Sequence, residues 1–163
     1  LMRLVLENSR HSEVTLVQDL EALRLYMDLE QSRMRGKFDF TIEVDPAIDQ
    51  ETTLVPPLVV QPFVENAIWH GISRKEGKGH ITLTVHLSAG QLIMTVEDDG
   101  VGRNTPDPSP STDVPPKTSL GTTITKDRLA MLGQQRGADA GFQYLDLPTG
   151  TRVVVTLPLF RDH

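Results

Sequence analysis

Two neighbouring segments with strict alternation constrain the fold most. In His80–Leu87 every second residue is apolar, and Gln91–Glu97 follows the same rule. Ala89-Gly90 lies between them, and a two-residue connection that contains glycine is typical of a tight β-hairpin. Alternation with a period of two gives each strand one apolar face and one polar face. The sequence therefore predicts an antiparallel sheet that has to be covered on one side.

Helical spacing in three other segments predicts the helices that cover this sheet. In the first helix, leucine and methionine recur at spacings of three, four and seven, and Thr15 with Gln18 forms a capping-box pattern. Gly36 is the predicted stop of this helix. The second helix is predicted to open on two prolines and to end at Gly71, with a bend at the internal Pro62. The predicted ranges are Thr15–Arg35, Pro56–His70 and Ser119–Gln135.

The remaining alternating segments complete the predicted fold. Lys37–Val44 reads as a strand, and Phe142–Leu147 with Thr151–Leu159 reads as a second hairpin that turns at Pro148-Thr149-Gly150. The order is helix, strand, helix, two strands, loop, helix, two strands. It predicts an α+β fold, a two-layer α/β sandwich whose mixed, mostly antiparallel sheet is covered on one face by helices.

Composition excludes several classes of protein. The net charge of −6 argues against a nucleic-acid binder, and the absence of cysteine excludes disulfides and thiolate metal sites. No apolar run approaches the roughly 20 residues that span a bilayer. The chain opens at Leu1 in a helix-like pattern. We therefore expect a fragment of a longer protein, with any membrane anchor in the part outside this sequence.

Glu65–Gly71 is the first chemistry-bearing segment. On a helix, Asn66 and His70 are four residues apart and share a face, with Glu65 beside them. An amide oxygen suits Mg²⁺ that also binds phosphates, and a carboxylate can orient or deprotonate a nucleophile. The spacing alone equally describes a polar helix face that meets water, so both readings stay open at this point.

The second segment is Asp98-Asp99-Gly100-Val101-Gly102. By alternation Asp98 points to the same face as Leu92, Met94 and Val96, which predicts a buried carboxylate in need of a partner. An adenine amino group is one such donor, and Gly100 and Gly102 would let the backbone approach a ligand closely. An ordinary Asp-Gly turn after a strand is the competing reading.

The third segment lies where a loop meets a helix. Arg103–Thr118 holds five prolines among Ser, Thr and Asp and is predicted to be a loop. Ser119-Leu120-Gly121-Thr122 then opens the last predicted helix, and a helix start suits phosphate because of its free N–H groups. Lys126 and Arg128 follow and are expected to add positive charge. An ordinary serine cap explains the same residues.

Taken in order, these segments resemble an ATPase superfamily. It joins DNA gyrase, the heat-shock chaperone ATPases, mismatch-repair ATPases and histidine kinases. Glu65-Asn66-Ala67 with His70-Gly71 resembles its N box, Asp98 with Gly100 and Gly102 its first glycine box, and Ser119-Leu120-Gly121 a reduced second one. More narrowly, Val55–Ala67, with its Pro-Pro-x-x-x-Gln-Pro lead-in, and Ile124–Leu129 are similar to histidine kinases of the autolysin-sensor type.

The resemblance implies a role for each matched residue. Asn66 would hold Mg²⁺ against the triphosphate, Glu65 would assist phosphoryl transfer, and His70 would line the phosphate side. Asp98 would bind the adenine amino group. The remaining matched residues would shape the pocket and the lid hinges: Gly100, Gly102, Ser119, Leu120, Gly121 and Thr122. Ser119 replaces the family's usual first glycine, which puts the lid contacts in doubt.

The resemblance also sets the expected organisation. It implies a helical extension over residues 1–35, an ATP-binding catalytic domain of Bergerat type over 36–163, and an ATP lid near 103–118. The cofactors would be ATP and Mg²⁺, and the partners a response regulator and a second copy joined through upstream helices. The expected location is the cytoplasmic side of an inner-membrane-anchored parent protein.

The phosphoacceptor histidine of this kinase type is missing from the sequence. It lies in a His-Phe-x-Phe-Asn context, and none of the five histidines does. We therefore expect a fragment that binds Mg-ATP and cannot phosphorylate itself. Two alternatives are a hydrolytic ATPase of the gyrase type, which would need a transducer domain, and a nucleotide-free scaffold that only mediates protein contacts.

Overall fold

The computed structural model describes residues 13–102, 126–131, 140–158 and 160–161. Residues 103–118, predicted to form the lid, and Ser119–Thr122 lie outside these ranges. The chain enters through a two-residue strand β1 (Val14–Thr15) and the long helix α1 (Leu16–Arg33). In the part of the chain described, no helix combines the length and the apolar character needed to cross a membrane.

Helix α1 follows its sequence pattern closely. The Thr15 hydroxyl accepts the N–H of Gln18, and the Gln18 side chain accepts the N–H of Thr15, so the predicted capping box is present. The buried face consists of the residues that gave the helical spacing: Leu16, Leu20, Leu23 and Met27. Gly36 follows the helix end at φ +73°, where glycine carries no steric penalty.

A five-stranded mixed sheet forms the second layer. Its strands are β2 (Phe38–Val44), β4 (Gly79–Ser88), β5 (Gln91–Asp98), β6 (Gly141–Asp146) and β7 (Thr151–Pro158), in the spatial order β2-β4-β5-β7-β6. Among these described strands, β2 and β4 pair in parallel and the other neighbours pair antiparallel. Alternate residues of β4, β5 and β7 are buried, so one face of the sheet packs against the helices. The predicted mixed, mostly antiparallel α+β sandwich is confirmed.

The second helix departs from the prediction at both ends. Helix α2 begins at Gln61, not at the two prolines, and spans Gln61–Asn66. Pro62 therefore lies in the first turn, where its missing N–H costs no helical bond, and the predicted internal bend is wrong. The helix continues past Gly71 as a π-helical segment, Ala67–Ile72. Its wider turns show in the bond from the Ser73 N–H to the carbonyl of Ile68.

A second, small sheet was not predicted. It consists of β1, β3 (Thr53–Val55) and β8 (Phe160–Arg161), in the order β1-β3-β8. These strands are two or three residues long, too short for alternation to appear in the sequence. Residues 126–131 are helical, as predicted for that part of the last helix. Both predicted hairpins are present, and the first turns at Ala89-Gly90 with positive φ at both residues.

Candidate functional site

Asp98 ends β5 with its carboxyl group inside the protein. Leu92, Met94, Val96 and Asp98 are all buried, so the alternation that predicted an inward carboxylate is confirmed. The backbone N–H groups of Gly100 and Thr151 both donate to this carboxyl, the former at 3.0 Å. Burial raises the pKa of Asp98 to about 7, and the neighbouring Asp99 and Glu97 act in the same direction. The ionisation of a carboxyl with such a raised pKa changes strongly when another hydrogen-bond donor approaches it.

Glycines allow the backbone to close around this carboxyl. A Cβ on Gly71 would lie 2.8 Å from Oδ1 of Asp98. A Cβ on Gly100 would overlap the backbone of Gly71, and one on Gly150 would overlap the carbonyl of Asp98. The N–H of Val101 donates to the Gly71 carbonyl at 3.2 Å and ties the turn after β5 to the π-helical segment. Three chain segments therefore meet around Asp98 with no space for side chains.

Asp99 fixes the turn from the other side. Its Oδ1 accepts the N–H of His80 at 2.7 Å, and its carbonyl accepts Nζ of Lys75 at 2.9 Å. The same ammonium lies 3.4 Å from Oδ2 of Asp99. These contacts explain the geometry of the Asp-Asp-Gly segment, and they place the Lys75 ammonium beside Asp99.

An open cavity of about 450 Å³ adjoins this turn. Gly100 and Gly102 line it, as does the turn that joins β6 to β7. Its volume lies within the range of roughly 300–1,000 Å³ that is common for small-molecule sites. Asp98 does not line this cavity; its carboxyl contacts the Gly71 side instead. The lining residues are Lys75, Glu76, Asp99, Gly100, Val101, Gly102, Leu147, Pro148, Thr149 and Gly150.

Glu65 and Asn66 end α2, one turn before Gly71. Nδ2 of Asn66 lies 3.4 Å from the hydroxyl of Tyr144 on β6, and Oε1 of Glu65 accepts Nε2 of Gln61 at 3.4 Å. Both side chains are partly exposed, as is His70 on the π-helical segment. π-Helical turns occur often at functional sites, because the extra residue re-aims side chains.

Sequence reasoning found some of these residues and missed others. The structure brings Asp98 and Gly100 together with Gly71, as the two boxes predicted. It also adds Thr151, which is buried, lies opposite Asp98 in the β5–β7 register and was not predicted. Alternation along β7 places Thr151 on the apolar face. A buried hydroxyl directly after a glycine turn was therefore the one sequence signal that could have indicated Thr151 as a site residue. Arg128 was expected to add charge near phosphate but instead donates to the Pro57 carbonyl.

The fold and these boxes define a class of ATPase. The model of the family "Histidine kinase-, DNA gyrase B-, and HSP90-like ATPase" matches residues 56–161. The match covers more than half of the chain and includes α2, the π-helical segment, Asp98 and the glycine turns. The chain belongs to this family, and it has the fold of the ATPase domain of sensor histidine kinases.

Several of the relatives that this chain matches are sensor kinases of the autolysin type. The chain is 30% identical to the sensor histidine kinase/phosphatase LytS of Staphylococcus aureus over 160 residues, which is 96% of this chain and 27% of LytS. It is 36% identical to YwpD of Bacillus subtilis over 85 residues, 52% of this chain and 30% of YwpD. The chain thus spans under a third of these relatives. The predicted resemblance to the autolysin-sensor type is confirmed.

Solved structures agree on the fold. A histidine kinase domain from the blue-light-activated kinase of Erythrobacter litoralis superimposes with a TM-score of 0.57 at 26% identity, over 83% of this chain and 58% of that one. The nucleotide-free catalytic domain of histidine kinase ThkA superimposes with a TM-score of 0.56 at 16% identity, over 90% and 94% of the two chains.

Proposed function

We propose that this chain binds Mg-ATP and acts as the catalytic domain of a two-component sensor histidine kinase. It would donate the γ-phosphoryl group to a histidine elsewhere in the parent protein, for relay to a response regulator. The observation that carries the proposal is the Asp98 carboxyl, buried at the end of β5 and surrounded by glycine backbone in a fold of the ATPase family.

The adenine end is the better supported half of the proposed site. The adenine amino group would donate to the Asp98 carboxylate and stabilise its ionised form, which burial disfavours. Thr151 is buried opposite Asp98 and would face the same base. The glycines at positions 71 and 100 let these two backbone segments pack closely beside the carboxyl, which a side chain at either position would prevent.

The phosphate end rests on Asn66, Glu65 and His70. Within the described ranges, no group of three or more His, Asp or Glu side chains could hold a metal ion by itself. One amide together with phosphate oxygens fits this arrangement, because Mg²⁺ in phosphoryl-transfer sites takes few protein ligands. Bound Mg²⁺ would neutralise phosphate charge. Asn66 would hold the ion, Glu65 would orient the acceptor, and His70 with Ser119–Thr122 would contact the phosphates.

The partners follow from the kinase class. Histidine kinase ThkA, which is 17% identical to this chain with a TM-score of 0.58, has been solved in complex with the response regulator TrrA. A response regulator is the partner proposed here for the parent protein, with dimerisation and any membrane attachment through other segments.

The proposal is tested by a thermal-shift titration with Mg-ATP. Saturation at about 100 times the dissociation constant should add about 2.7 kcal/mol of stability. Asp98→Asn should remove most of this shift, because the carboxylate that accepts the amino group is lost. Asp39→Asn is the matched control, since Asp39 forms an exposed ion pair with Lys78 and lies outside the proposed site.

The scaffold alternative makes the opposite prediction. A nucleotide-free module would show no shift at millimolar Mg-ATP, and Asp98→Asn would behave like Asp39→Asn. That result would reject the proposed function even though the fold is that of the family.

A further inference from the structure

One peptide group ahead of α2 is held from both sides by charged side chains. The carbonyl of Pro57 accepts Nη2 of Arg128 at 2.8 Å, and the N–H of Leu58 donates to Oδ1 of Asp19 at 2.9 Å. These two groups belong to the same peptide bond. Asp19 lies in α1 and Arg128 in the helical residues 126–131, so three distant parts of the chain meet at this peptide.

The two charges depend on each other. Asp19 is 4% exposed, and burial raises its pKa, while the Leu58 N–H and the Arg128 charge lower it. Burial likewise lowers the pKa of Arg128, and Asp19 opposes that change. Removing Arg128 would leave the buried Asp19 carboxylate without a positive charge that stabilises it. Because hydrogen bonds to ionised groups polarise the peptide between them, each contact strengthens the other.

Leu58 itself shows why the peptide has to be held. Its φ is +59°, in the left-handed region that a leucine avoids because Cβ approaches the following carbonyl. Its side chain is 47% exposed, so side-chain packing does not impose this conformation. Strained backbone persists only where the surroundings determine it, and here the contacts to Asp19 and Arg128 do so.

The held peptide lies at the entrance to the proposed catalytic helix. Val59 and Val60 follow it and are buried, and the Val60 carbonyl accepts the N–H groups of Phe63 and Val64. The direction of the backbone at Leu58 therefore sets where α2 begins. The same helix ends with Glu65 and Asn66.

We infer that Asp19 and Arg128 form a peptide clamp that positions α2 and so couples the placement of α1 to nucleotide binding. Asp19 and Arg128 are positioning residues that act on α2 through the Leu58 peptide. The coupling to nucleotide rests on the proposed function, whereas the clamp itself does not.

The test uses the full 163-residue chain and four variants: Asp19→Asn, Arg128→Gln, their double variant, and Asp19→Asn combined with Leu58→Gly. Calorimetric titration gives Mg-ATP affinity, and urea denaturation gives stability. Each single variant should weaken Mg-ATP binding roughly fivefold, and the double variant no further, because either change opens the clamp. Asp39→Asn serves again as the surface control and should bind as wild type does.

Leu58→Gly distinguishes positioning from general loss of packing. Glycine adopts positive φ without strain, so the loop should keep its direction when Asp19 no longer holds it. The combined variant should regain most of the affinity that Asp19→Asn loses, although glycine increases the conformational entropy of the unfolded chain. A merely structural role predicts no such rescue. Arg128 is more exposed than Asp19, so Arg128→Gln with Leu58→Gly provides the same test if Asp19→Asn fails to fold.

The outcomes separate the two claims. Additive losses of stability in the double variant would overturn the clamp. Unchanged affinity in a folded single variant, or no rescue by Leu58→Gly, would overturn the positioning role. If wild-type protein binds no Mg-ATP, the proposed function fails and, with it, the coupling to nucleotide. The unfolding free energies of the single and double variants then test the clamp by themselves.

Discussion

At the scale of single residues, Asp98 combines two roles that conflict. Its carboxyl is buried, which disfavours the charged form, and the proposed function uses that charged form as the acceptor for the adenine amino group. Burial raises its pKa from 3.8 to about 7. Such conflict between stability and ligand binding is typical of functional sites.

This conflict predicts a defined pH dependence of stability. Because the folded-state pKa of Asp98 is raised, its favourable contribution is complete below about pH 4 and is lost as the pH rises through about 7. At about 1.4 kcal/mol per pKa unit, the full change amounts to a few kcal/mol. We therefore expect the difference in unfolding free energy between wild type and Asp98→Asn, measured by urea denaturation, to fall between pH 4 and pH 7. The difference should level off above pH 8. A difference that stays constant with pH would contradict the raised pKa.

Gly71 gives a second prediction at this scale. Gly71→Ala would place a Cβ 2.8 Å from Oδ1 of Asp98 and displace that side chain, which can move more easily than backbone. We expect the variant to fold and to bind Mg-ATP at least roughly tenfold more weakly, a loss of about 1.4 kcal/mol. Gly141→Ala is the matched control, because open space surrounds its position and its φ is not in the left-handed region. Equal affinities in calorimetry would show that Gly71 does not border the nucleotide.

At the scale of elements, short sequence patterns predicted the features that depend on interactions between residues close together in the sequence. The capping box of α1, the apolar face of that helix and the alternation of β4 and β5 are short-range features, and the structure confirms them. The start of α2 was placed too early because Pro56-Pro57 resembles a helix opening. The backbone instead turns through Leu58 at positive φ, held by contacts from distant residues that leave no local pattern.

The helix cap offers a prediction for α1. Thr15→Ala removes the hydroxyl that accepts the Gln18 N–H, and loss of such a cap typically costs about 1 kcal/mol of stability. Ser32→Ala is the control for truncation near the other end of the same helix, where Ser32 is exposed and alanine favours the helix. Urea denaturation should show a lower unfolding free energy for the first variant and an equal or higher one for the second. Equal stability of Thr15→Ala and wild type would show that the cap contributes nothing.

At the scale of the whole molecule, the candidate site is assembled from separate segments. The π-helical segment, the end of β5 and the start of β7 meet around one carboxyl group. The sequence predicted Asp98 and Gly100 because box order and alternation are visible along the chain. It missed Thr151 and Gly150, since only strand pairing brings them to Asp98. The lid and Ser119–Thr122 remain predictions.

The proposed function depends most on one interaction, in which the Asp98 carboxylate accepts a hydrogen bond from the amino group of adenine. The most direct measurement compares Mg-ATP with Mg-ITP by calorimetric titration of wild-type protein, because the inosine base carries a carbonyl where adenine carries the amino group. We predict that Mg-ATP binds and that Mg-ITP binds at least roughly tenfold more weakly, since the buried carboxylate would face an acceptor and lose its partner. Equal affinity for the two nucleotides would show that Asp98 does not recognise the adenine amino group, and no binding of either would contradict the proposed function.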